Sequence, residues 1–132
     1  MAITFDNALG IHQHALEARV KRAEVLASNL ANADTPGFKA RDLDFQAMMQ
    51  KAQDNMSGFG MEKTHSGHMD ASSGAADSDL LYRVPNQPSV DGNTVDAQAE
   101  QTRFMRNAMD YQASFQFLNG KFTGLTKALK GE

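Results

Sequence analysis

Four histidines and a scatter of carboxylates are the residues in this 132-residue chain whose types could hold a metal ion or move a proton near neutral pH. His12 and His14 stand two apart in a stretch of helical character, so they project to different faces and cannot share one ion. His65-Ser66-Gly67-His68 with Asp70 has partial ligand chemistry for zinc or nickel, but it lies in a Gly/Ser-rich segment and lacks a defined fourth ligand. Asp91-Gly92-Asn93-Thr94-Val95-Asp96 superficially suggests a calcium loop; its glycine is misplaced and the bidentate glutamate is missing, so turn plus helix start is the better reading. Asn55-Met56-Ser57 is a glycosylation sequon in form only, since no secretory signal precedes it. The chain has no cysteine, which excludes thiolate ligands, cysteine nucleophiles and disulfides together. No nucleophile with its base, paired carboxylates or phosphate loop appears, so the expectation is a protein without catalytic site, cofactor or metal.

The composition narrows the class further. Apolar residues make up 41%, aromatics 8%, and mean hydropathy is −0.50, a balance that suits amphipathic helices sharing a seam better than a thick core. A net charge of −3 gives no basic footprint for nucleic acid or anionic lipid. The N-terminal residues contain Asp6 and lack the basic and apolar regions of a signal peptide, and no later segment is long enough to span a membrane, so export would need another route.

Two helical arms flank a softer middle. Over residues 5–33, Phe5, Leu9, Leu16, Val20, Ala23, Ala27 and Leu30 recur at steps of three and four, with His12 in the same register: one amphipathic helix. A short helix is expected to begin near Asp44, capped by Asp42 or Asp44. Residues 54–78 lose periodicity and read as loop or as a segment ordered by a partner. Leu80-Leu81-Tyr82-Arg83-Val84, ended by Pro85, reads as an edge strand or an extended arm that docks on a neighbour. Asp91-Gly92-Asn93 is turn chemistry, with Asn93 expected to cap the second arm and Asp96 three residues on. In that arm Ala97, Gln101, Phe104, Ala108, Tyr111, Phe115, Leu118, Phe122, Leu125 and Leu129 alternate by four and three, a coiled-coil pattern. Lys121, Lys127 and Lys130 suit its C-terminal end, and Gly131 stops it.

Between the arms, Ser28-Asn29-Leu30-Ala31-Asn32 leads into Thr35-Pro36-Gly37-Phe38-Lys39, where Pro36 and Gly37 fit the centre of a type II turn. This combination resembles the N-terminal signature of the bacterial flagellar rod and hook proteins, the axial family. The 80–85 run, Gln87-Pro88-Ser89, the 91–96 turn and Tyr111-Gln112-Ala113 resemble the same family's short, B-type proximal rod subunits, which lack the large middle β-domains of distal rod and hook proteins. The resemblance implies a structural subunit exported by the flagellum-specific type III apparatus without a cleavable signal, located in the periplasmic rod of the basal body. It implies as partners other copies of the chain, other rod subunits, the rod-to-membrane-ring adaptor and export-gate proteins, with no nucleic acid and no direct membrane span.

The resulting expectation is a mainly α fold: N- and C-terminal amphipathic helices packed as an antiparallel coiled-coil pair around a short extended, loop-rich middle. Its divisions are 1–34, 35–92 and 93–132. The expected assembly seam is Leu9, Leu16, Val20, Leu30, Phe104, Tyr111, Phe115, Leu118, Phe122, Leu125 and Leu129. The family-motif turn is Asn29, Asn32, Thr35, Pro36, Gly37 and Phe38; the arm and cap are Tyr82, Arg83, Pro85, Asp91, Gly92 and Asn93. The alternative is a helical adaptor that presents its hydrophobic seam to a single client.

Overall fold

The computed structural model describes residues 8–57, 80–85 and 89–131. Helix α1 spans Ile11–Ala31, strand β1 Arg41–Leu43, helix α2 Phe45–Ser57, strand β2 Leu80–Tyr82 and helix α3 Ala97–Lys130. The first arm is interrupted before α1: Ala8 and Leu9 are helical, but Gly10 adopts φ 59, a backbone state suited to glycine, and the long helix starts after it. Phe5 and the His65/His68 group lie outside the described residues.

α1 and α3 run antiparallel along each other. Asn29 meets Glu100, Arg19 meets Asp110, and the His12 and Phe117 rings lie 6.2 Å apart, so descending one helix ascends the other. The two strands form an antiparallel pair with Arg41 opposite Tyr82 and Leu43 opposite Leu80, and Arg83 N–H donating to Ala40 O at 2.9 Å prolongs it. Asp44 caps α2, its carboxylate accepting from the Gln46 and Ala47 N–H groups. α2 continues to Ser57, past the point where the sequence pattern fades, so residues 54–57 are helical instead of loop.

The seam between the long helices departs from expectation. Pairing holds, yet the side of α3 that meets α1 carries Glu100, Arg103, Asn107, Asp110 and Ser114, with Glu100 only 1% and Asn107 2% exposed. From Arg103 onward each seam position precedes a member of the apolar stripe, a rotation of about 100° round a helix of 3.6 residues per turn. Phe104, Tyr111, Phe122 and Leu125 are therefore exposed, as are Phe115 at 55% and Leu129 at 90%, while Leu118 is half-buried. On α1 the buried positions are Ala18, Leu26 and Asn29, with Leu16 and Leu30 half-buried and Val20 exposed; Leu9, ahead of Gly10, is buried.

The polar face of α3 finds partners on α1, although Arg19 Nε and Asn107 Oδ1 stay buried without a hydrogen-bond partner among the described residues. Asn107 Nδ2 donates to Arg19 O at 2.9 Å, and Arg19 pairs with Asp110 at 3.0 Å while its guanidinium lies 3.8 Å over the Phe45 ring. The apolar core proper is small: Leu9, Ala18, Leu26, Ala40 and Leu43.

Candidate functional site

Three segments distant in sequence converge where α1 ends and α3 begins. The Asn29 side chain, wholly buried, is used at both ends: its Oδ1 accepts from Arg41 N–H at 3.1 Å, and its Nδ2 donates to Arg41 O at 2.6 Å and to Glu100 Oε2 at 3.0 Å. One amide thereby ties the end of α1, the first residue of β1 and the first turn of α3. Asn32 turns its own amide back to Ser28 O at 2.8 Å, and Thr35 Oγ donates to Asn32 Oδ1 at 3.2 Å.

The Thr35–Phe38 turn closes through Phe38 N–H to Thr35 O at 3.3 Å, with Gly37 at φ 73, the positive angle a type II turn requires at its third residue. It lies against the second turn. Gly37 N–H donates to Asp91 O at 3.0 Å, Thr94 N–H to Phe38 O at 3.0 Å, and Ala40 N–H to Thr94 Oγ at 2.8 Å. Gly92 also has a positive φ, 74, and a Cβ built on it would meet Gly37 Cα at 3.8 Å, an ordinary contact, so it is the left-handed backbone of both turns and not the space between them that favours glycine. Lys39 Nζ donates to Gly92 O at 2.6 Å.

Asn93 does not cap α3. Asp96 does, its carboxylate accepting from the Gln98 and Ala99 N–H groups, because the backbone at Thr94 is still paired with the turn through Phe38 O. Asn93 instead closes the end of the other arm. Its buried Nδ2 donates to Asn32 O, Ala33 O and Thr35 O at 3.1, 2.6 and 3.0 Å, just past the end of α1, where Asn32 O and Thr35 O also accept from the Thr35 and Phe38 N–H groups. Its Oδ1 accepts from Val95 N–H at 2.8 Å. The Asn93 N–H, 3.1 Å from Asp91 Oδ1, holds the Asp91 carboxyl below its ordinary range.

The arm contributes Arg83. Its guanidinium fork reaches Asp42 Oδ2 at 2.5 Å and Glu100 Oε1, while Arg22 pairs with Asp42 at 3.0 Å and Arg103 with Glu100 at 2.7 Å. Three arginines and two carboxylates from α1, β1, the β2 arm and α3 thus form one chain of ion pairs, with the planar fork suited to bridging two carboxylates. For Asp42, burial acts to raise its pKa, but hydrogen bonds from Arg22, the Leu43 N–H and Arg83 outweigh this and hold it below its ordinary 3.8.

Asn29, Asn32, Thr35, Gly37, Phe38, Arg83, Asp91, Gly92 and Asn93 therefore meet in one junction. Pro36, Tyr82 and Pro85 are exposed at its margin, so of the arm's Tyr-Arg pair only Arg83 docks, and it docks within its own chain. Asp42, Glu100, Arg22, Arg19 and Asn107 were missed. Arg83, a cation directly after an apolar run, and Glu100, with Arg103 three residues on, were the available signals. No group of three His, Cys, Asp or Glu side chains is placed to hold a metal ion among the described residues. No described helix is long and apolar enough to cross a membrane.

The two long antiparallel helices are thus joined at one end by a buried polar junction, and an apolar stripe stands exposed along the longer helix. The family model for "Flagella basal body rod protein" matches residues 9–39, which covers α1 and the turn that follows it. The flagellar basal body rod protein FlgB of Aeromonas hydrophila is 55% identical over 133 residues, spanning 100% of this chain and 99% of that protein. FlgB of Yersinia ruckeri is 45% identical, covering 95% of each chain. FlgB of Escherichia coli K12 is 43% identical, covering 95% of this chain and 94% of its own. The chain belongs to the FlgB family of flagellar basal body rod proteins.

Proposed function

We propose that the chain is a subunit of the proximal rod that assembles helically through its terminal helices after type III export. Its partners on this reading are other copies of itself, other rod subunits, the rod-to-membrane-ring adaptor and export-gate proteins. Its location is the periplasmic part of the basal body. The observation that carries the reading is the exposed stripe from Phe104 to Leu129: it has coiled-coil spacing, and the intramolecular seam has been built on a different face of the same helix. Regular apolar surface on that scale calls for another molecule, and a contact between unlike patches that does not close a ring propagates as a helix. Near-full-length relatedness to rod proteins favours this over the single-client adaptor.

Electron microscopy of basal bodies carrying a labelled copy of the chain tests the reading. Label repeated on a helical lattice at the base of the rod is expected. A saturable one-to-one complex away from the rod would overturn it.

A further inference from the structure

Beside the polar seam, α1 and α3 enclose a groove of about 420 Å³, walled by Val20 and Ala23 on one side and Phe104, Ala108 and Tyr111 on the other. Two charges line it. Arg19 is tied to Asp110, whereas Glu24 has no ion-pair partner among the described residues.

The distal end of α3 has complementary properties. Past the Phe117 contact with His12 the helix continues to Lys130, roughly 20 Å at 1.5 Å per residue, long enough to cover the groove's α3 wall of about 12 Å from Phe104 to Gln112. Phe122, Leu125 and Leu129 stand on one face of this end at steps of three and four, all exposed. Its charges are Lys121, Lys127 and Lys130, with no acid after Asp110 within the helix, and none of the three has an ion-pair partner among the described residues. Groove wall and distal end lie on one continuous helix, so a chain cannot fill its own groove.

We infer that the groove seats the distal end of α3 from a second copy of this chain, with Phe122, Leu125 and Leu129 against Val20, Ala108 and Tyr111 and a lysine beside Glu24. This rests on the self-assembly reading above and adds which surface meets which. The two surfaces differ, so each seated copy leaves its own groove open for the next.

The cysteine-free sequence provides a clean test. In cells whose native copy is replaced by the Ala108→Cys/Leu125→Cys chain, mild oxidation of isolated basal bodies should link copies into dimers and higher multiples. The yield should exceed that of a Gln46→Cys/Leu125→Cys control about tenfold or more, since a disulfide forms only where Cα atoms come within about 7 Å. Ala23→Cys/Leu129→Cys is a second pair should the first disturb assembly. Glu24→Lys should lower the yield several-fold. Basal bodies that contain the chain but give control-level linking with both pairs overturn the groove assignment and leave the rod reading intact. Linking to a different protein also overturns it. Absence of the chain from basal bodies overturns the rod reading itself.

Discussion

At the junction, amides and charged groups from four elements are buried or half-buried against one another; along the distal half of α3, phenylalanines and leucines at regular spacing stand mostly in solvent. The usual expectation for a two-helix protein would exchange these roles, with grease inside and charge outside. The contrast shows that an apolar repeat locates a face to be covered without saying by which molecule. A polar interior, for its part, specifies one pairing: Asn29, Asn93 and Arg83 each have partners fixed in distance and direction, whereas a leucine seam tolerates slippage.

If the junction holds the fold and the stripe serves neighbours, substitutions in the two regions should fail differently. The largest loss of stability is expected from Arg83→Ala, which strips a bridging cation from Asp42 and from the fully buried Glu100. Breaking such a buried pair costs about 3 kcal/mol, read as a lower urea midpoint at unchanged slope. Asn93→Ala removes the buried donor to Ala33 O, just past the end of α1, and should cost about 2 kcal/mol by the same measurement. Gly37→Ala forces a Cβ onto a residue at φ 73 and should cost about 1 kcal/mol. It should also increase amide exchange at Phe38 and Thr94.

The smallest effect concerns pH. The Asp42 carboxyl has a lower pKa in the folded chain than its ordinary 3.8. The stability it adds is therefore complete above that value and is lost as pH falls through the lower, folded one. Asp42→Asn should flatten the acid limb of the stability profile below pH 3.8 while leaving the profile above it parallel to that of the unsubstituted chain. An acid limb unchanged in slope would show that Asp42 does not link folding to protons.

Much of this architecture was legible in the residues. The 3.6-residue periodicities marked both long helices, Asp44 announced α2, and the Pro36-Gly37 pair announced the turn, because those signals are local. The meeting of the 29–38 and 91–93 motifs was not legible as contact, since it depends on two glycine turns docking back to back across the fold. Nor was the helix seam: Glu100, Arg103, Asn107 and Asp110 have the same three-four spacing as the stripe beside them, and polar residues so placed resemble a solvated face until a partner arginine is located. Asn93 illustrates the same limit. Its type suits a cap, and it does satisfy a helix end, but the end of α1 and not the start of α3.

The central claim is that the α3 stripe is covered by neighbours and not by its own chain. Phe122→Asp tests it most directly when rod assembly and swimming are measured in cells making only that variant. With Phe122 already exposed, the unfolding free energy should stay within about 0.5 kcal/mol of the unsubstituted chain, while rods fail to form and the cells do not swim. Normal swimming in a strain with that substitution would contradict the account.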